Sequence, residues 1–87
     1  MLKAKGLVMT NLQKYNNVFI ERFAITEQDL NATLVYQSIP AWDSVGHMSL
    51  MAAIEEAFDI ILDMDDILDF SSYQKGKEIL VKYKIDF

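Results

Sequence analysis

Apolar positions in this chain recur mostly at three- and four-residue spacing, the period of a helix with one face turned inward. From Asn11 onward, Leu12, Tyr15, Phe19 and Phe23 repeat at that spacing. Val18 and Ile20 widen the arc, while Gln13, Lys14, Asn17 and Glu21 take the other side. The pattern predicts a first helix over residues 11–24. Between Ile25 and Ala41 the period is lost, and Leu30, Leu34, Val35, Tyr36 and Ile39 are scattered apolar points. A connection of that length in a small domain is either functional or pinned to the core. Leu30, Leu34 and Ile39 are the expected pins. Thr26, with Asp29 three residues on, reads as a short capped turn, and Pro40 turns Ile39 away from helix.

A second helix is predicted from Ser44 to Phe58 or Asp59. At 100° per residue, Met48, Leu50, Met51, Ile54, Ala57 and Phe58 form a broad core arc, and Val45, Ser49, Ala52 and Glu56 form a strip on the other side. That strip has an apolar head, two small residues and an acid. It suits either close approach by another helix with basic side chains or an ordinary solvated face. Beyond the apolar link at 60–63, Asp63, Asp65, Asp66 and Asp69 surround Met64, Ile67 and Leu68, which suggests a short helix at about 65–69. A last helix over about 72–84, capped by Ser71 or Ser72, brings Tyr73, Ile79, Leu80 and Tyr83 to the core. Gly76 inside it costs about 1 kcal/mol of helix propensity unless close packing requires it. Residues 1–10 have no clear period and form an N-terminal extension, with Leu7 and Val8 as its packing points, ahead of one domain at 11–84. The expected fold class is all-α, a four-helix bundle with a long loop between helices one and two and a short third helix.

Composition narrows the function classes. Eighty-seven residues make one domain with a modest core, and 52% hydrophobic with 24% charged residues is globular rather than disordered. Cysteine is absent, so any thiol chemistry must come from an attached group. The aspartates lack the Gly and terminal Glu of an EF-hand loop, and no metal is expected. A net charge of -5 speaks against nucleic acid and for basic protein surfaces. No apolar run approaches the ~20 residues that span a bilayer, and MLKAKGLVMT is too short for a secretory signal. A cytoplasmic monomer without membrane insertion is the expectation.

Candidate chemistry gathers at Ala41–Phe58. Asp43 is a good N-cap, and Ser44 then lies in the first turn, where its hydroxyl is exposed and an attached phosphate would meet the positive end of the helix. Asp43, Ser44 and His47 supply the residue types of a hydrolytic triad. Helical spacing alone makes neither the nucleophile–base contact nor an oxyanion hole, and an Asp43 engaged as a cap cannot also orient the imidazole. His47 is expected to hydrogen-bond loop backbone or to pack under Trp42. No residue is expected to be catalytic, and the chain is not read as an enzyme. Trp42 is either an anchor for the long loop or an exposed aromatic that touches a partner or cargo.

With these residues in place, the chain resembles the acyl and peptidyl carrier protein family over about Asn11–Tyr83. The resemblance rests on the hydrophobic first helix, the long connection, D-S-V at Asp43–Val45, the ending Glu55-Glu56-Ala57-Phe58 and the short third and longer fourth helices. It implies an acyl-carrier-protein-like four-helix bundle carrying 4'-phosphopantetheine, taken from coenzyme A by a phosphopantetheinyl transferase with Mg²⁺ and joined covalently to Ser44. Acyl or aminoacyl groups would ride on its thiol as thioesters, supplied and consumed by an activating ligase, an acyltransferase or a synthase. Position by position, the resemblance makes Asp43 the acid beside the attachment site and Val45 the contact that partners grip. Glu55 and Glu56 match the acidic end of the second helix, and the resemblance implies an acyl-chain cavity at Leu50, Ile54 and Phe58. The strip reading adds Ser49 and Ala52 to Glu56 as partner-recognition residues, and Trp42 joins them as an exposed aromatic. Carriers of primary fatty acid synthesis usually have D-S-L followed by an acid, with another acid further on; Gly46 and Ser49 stand in those places here. Trp42 and His47 resemble instead a stand-alone subgroup with W-D-S-x-x-H, which implies a specialised pathway. The alternatives are a carrier of primary fatty acid synthesis and a carrier-fold interaction module that is never loaded.

Overall fold

Thr10 closes a reciprocal cap at the head of the first helix. Its hydroxyl accepts from the Gln13 N–H (3.1 Å), and the Gln13 side chain accepts from the Thr10 N–H (2.9 Å), so two amides with no helical partner are satisfied. The computed structural model describes residues 9–87; Leu7 and Val8, the expected packing points of the extension, lie outside the described residues. Helix α1 runs Asn11–Phe23 and stops where Ala24 turns left-handed at φ 54°. Tyr15, Val18, Phe19 and Phe23 face the core, as their spacing predicts.

Three more helices follow: α2, Ser44–Phe58; α3, Met64–Asp69; and α4, Tyr73–Val81. The chain is all-α, and the described residues contain no strand, only an isolated antiparallel bridge between Val35 and Ser72. That bridge explains how the long connection is held. Tyr36 N–H donates to Ser71 O (2.8 Å) and Tyr73 N–H to Leu34 O (2.9 Å), while Leu34 is buried and Leu30 and Ile39 pack against the core. Within the connection, Thr26 N–H and hydroxyl both donate to the Asp29 carboxylate (3.0 and 3.2 Å), and a 3₁₀ turn spans Glu27–Asp29. Helix α4 ends three residues before the expected 84. The amides of Lys82, Tyr83 and Lys84 bond three residues back, and the chain then folds over to bury Ile85.

The core is built around Phe19 of α1. Its ring meets those of Tyr15, Phe23, Trp42 and Tyr73 at centroid distances of 5.0, 5.9, 5.7 and 5.4 Å, all in edge-on geometry, an arrangement favoured by the ring quadrupoles. Leu50, Met51, Ala53 and Ile54 close the α2 side. Met48, placed on the core arc by periodicity, is 54% exposed instead. It lies in the second turn of α2, on a cleft that it shares with residues of α3.

Two buried features fix α4. A Cβ on Gly76 would come within 2.2 Å of both the Phe70 ring and the Tyr15 hydroxyl, so close helix packing accounts for this glycine. The Tyr15 hydroxyl donates to Tyr73 O (2.7 Å), and burial pushes its phenol far above the ordinary range. Asp66 is the one buried charged side chain among the described residues. Its two oxygens take Lys82 Nζ (2.5 Å) and the Tyr83 hydroxyl (2.6 Å). The hydrogen bond from Lys82, then that from Tyr83, holds the Asp66 carboxyl below its ordinary value. Its contribution to stability is therefore complete above the ordinary carboxylate range and is lost as pH falls through the lowered one.

Replacing Gly76 with Ala is expected to lower the unfolding free energy by about 2 kcal/mol through overpacking. Urea denaturation followed by circular dichroism reads the shift, and an unchanged midpoint would show that α4 and α1 are not pressed together there.

Candidate functional site

The approach to Ser44 is determined by the residues just before and after it. Asp43 is extended (φ -102°, ψ -168°), and its Oδ1 accepts from Gly46 N–H at 2.8 Å, while its carbonyl takes the His47 amide at 2.8 Å. Asp43 is thus the N-cap, and Ser44 is the first residue of α2, with its side chain exposed. Gly46 has its own steric reason. A Cβ there would fall 1.9 Å from the Ala41 carbonyl oxygen, a backbone atom that cannot swing aside. The chain leading into the serine therefore lies against the first turn of α2, where a side chain would hold it off.

Trp42 and His47 support this turn from beneath. Trp42 is completely buried, against Phe19 and Phe23, and its ring lies nearly in the plane of His47, with planes 14° apart. This corrects the expectation that Trp42 touches a partner: the indole anchors the loop and has no surface to offer. Its Nε1–H donates to His47 Nδ1 (2.9 Å). An indole nitrogen only donates, so Nδ1 is the acceptor, the ring is the neutral tautomer, and its Nε2–H donates to Ile67 O (2.8 Å). Both imidazole nitrogens are committed, and neither is free to take a proton from Ser44. The loop-support role expected of His47 is what the structure shows, and the bond reaches further than expected, across to α3.

Beside Ser44 opens a cleft of about 430 Å³, lined by Tyr36, Ser44, His47, Met48, Met64, Ile67, Leu68, Phe70 and Ser71. Most of its wall is apolar, and none of the lining side chains is an acid, a lysine or an arginine. The expected acyl-chain cavity at Leu50, Ile54 and Phe58 is corrected accordingly. Leu50 and Ile54 are fully buried, Phe58 is packed against the core, and none of the three lines the cleft. Helix α2 turns that arc to the core. Sequence reasoning did not find the residues of this cleft because it is assembled from separate elements. Its only local signals were Met48 four residues after Ser44 and the Met64–Leu68 pair at helical spacing among acids.

On the outer side of α2, Val45, Ser49, Ala52 and Glu56 are all exposed and share one strip, with Val45 at 77% exposure. Asp59 follows as the left-handed C-cap residue. Glu55, the other acid of the pair, is turned inward, and its carboxylate accepts from Leu62 N–H (2.8 Å), fixing the link to α3. Comparisons with family models, curated proteins and solved structures found no match to this chain. Among the described residues no helix is long and apolar enough to cross a membrane.

Replacing His47 with Ala leaves a buried indole N–H without a partner, and is expected to cost about 2 kcal/mol. Urea denaturation followed by Trp42 fluorescence reads both the loss of stability and any exposure of the indole. An unchanged midpoint would show that the imidazole supports nothing.

Proposed function

We propose that this chain is an acyl carrier in which Ser44 is the attachment point for 4'-phosphopantetheine, and that it presents acyl or aminoacyl cargo to biosynthetic enzymes of a specialised pathway. The observation that carries this reading is the Ser44 hydroxyl: it is exposed on the first residue of α2, stands on a braced turn, and opens onto an apolar cleft. The surroundings fit the group. A phosphodiester at Ser44 would sit at the positive end of a fifteen-residue helix, and Ser44 is exposed. When attached, the group supplies a thiol on a flexible arm, a function absent from a cysteine-free chain.

The chain's own residues would do the rest. Asp43 holds the helix end open by capping it, so that the serine faces outward toward a transferase. Val45 gives a partner an apolar grip one residue from the hydroxyl. Ser49 and Ala52 keep the strip low enough for another helix to lie against it, and Glu56 offers charge to basic side chains at its far end. Docking of this kind needs only to be weak and rapidly reversed, because tethered cargo reaches a partner's active site at high effective concentration. The lining of the cleft, without acids or cationic side chains, favours uncharged cargo where cargo rests on the carrier.

Incubation with coenzyme A, Mg²⁺ and a broad-specificity phosphopantetheinyl transferase is expected to add one phosphopantetheine by intact mass, mapping to Ser44. The Ser44→Ala chain should keep its helical circular dichroism and gain no mass. A wild-type chain that stays unmodified while a control carrier is loaded, or a Ser44→Ala chain that is still modified, would overturn the assignment. Reversing charge at the strip with Glu56→Lys is expected to slow loading several-fold at low salt, with the difference shrinking as salt rises. Equal loading rates at low salt would remove Glu56 from the docking face.

A further inference from the structure

Helix α3 has little to hold it by packing. It has only six residues, Met64–Asp69, too few to persist without outside support. Met64 and Leu68 are 65% and 72% exposed, Asp65 and Asp69 are exposed, and Ile67 is only half-buried. Its N-cap residue, Asp63, makes no side-chain cap bond. Yet Met64, Ile67 and Leu68 form one wall of the cleft beside Ser44.

Polar bonds supply the support, and they come from two sides. On one side, His47 of α2 donates to Ile67 O. On the other, the residues just past α4 grip the helix at two points. The Tyr83 hydroxyl donates to Asp66 Oδ2 (2.6 Å) while accepting from Asp63 N–H (2.9 Å), so one hydroxyl ties the residue that precedes the helix to the carboxylate within it. Lys82 Nζ holds the other Asp66 oxygen. A buried carboxylate with both oxygens engaged is costly to leave unpaired, so Asp66 keeps α3 facing α4.

We infer that Tyr83, Lys82 and Asp66 are positioning residues for the cleft: together with His47 they suspend α3 between α2 and α4, and thereby set the position of the wall facing Ser44. Loss of the Tyr83 hydroxyl removes one oxygen's partner from Asp66 and the acceptor from Asp63 N–H at once. A helix with so little apolar burial then opens by itself, ahead of global unfolding. This holds in the unloaded chain and does not depend on whether Ser44 is ever modified.

The test is amide hydrogen exchange on the full-length wild-type chain, Tyr83→Phe and Lys82→Met. Phe keeps the ring and its packing and removes only the hydroxyl. Amides of residues 66–70 are expected to exchange about tenfold faster in Tyr83→Phe, the rate change that corresponds to about 1.4 kcal/mol, and to accelerate less in Lys82→Met, whose ammonium is partly solvated. Amides of α1 should change less than threefold. Methyl resonances should follow the same division, with Met48 and Met64 shifting and Met51, buried in the core, staying in place. Unchanged exchange at 66–70 would overturn the inference. Acceleration of α1 and α3 by the same factor would overturn it as well, because the Tyr83 hydroxyl would then stabilise the whole fold and not the wall of the cleft.

Discussion

One imidazole holds together the three segments that surround the serine. His47 accepts from the Trp42 indole with one nitrogen and donates to the Ile67 carbonyl with the other. The loop before α2, the first turns of α2 and the short α3 are thereby joined through a single neutral ring. Trp42 could not be buried so completely without an acceptor for its N–H, since a buried donor left unpaired costs much of what burial gains. The ring is also flanked by aromatic side chains: the Trp42 indole lies nearly in its plane, and Tyr36 and Phe70 approach edge-on. A histidine beside a serine here serves packing and hydrogen bonding, with no nitrogen left for proton transfer.

Close backbone approach does the complementary work. At Gly46 the Ala41 carbonyl lies where any Cβ would stand, and at Gly76 the Phe70 ring and the Tyr15 hydroxyl do. The first draws the loop against α2, so the chain enters the serine turn without slack. The second lets α4 settle against α1 and Phe70, which brings Tyr83 within reach of Asp63 and Asp66. In both places absence of a side chain fixes geometry that no side chain could have fixed, and the polar bonds near Ser44 are built upon it.

Helix α2 consequently has two separate duties. Its inner arc, through Leu50, Met51, Ala53 and Ile54, is spent on α1 and the core. Its outer strip and its opening turn remain in solvent, and Ser44, in that opening turn, lies on the rim of the cleft. Met48 marks the boundary: one turn after Ser44, too far around for the core, it becomes part of the cleft wall. Under the proposed function, a group attached at that rim would have an apolar surface close by and the exposed strip on the other side.

By itself the sequence determined the helices, their approximate limits, the Asp43 cap, the exposure of Ser44 and the outer strip. These follow from local rules: a helical period, a capping side chain and the 100° turn between neighbours act within a few residues. It also determined that Leu30, Leu34 and Ile39 would pin the loop, since few other apolar residues were available there. Only the tertiary structure decided which apolar residues border a space and which fill one. Leu50 and Met48 both fall on the predicted core arc, yet one is fully buried and the other opens onto the cleft, where Met64, Ile67 and Leu68 of α3 stand beside it. Likewise Trp42 becomes core through partners distant in the chain, Phe19 and Phe23, and Asp66 differs from its neighbouring aspartates only because Lys82 and Tyr83 arrive beside it. Contacts between residues far apart in sequence leave no period to read, and both the cleft and its support are made of such contacts.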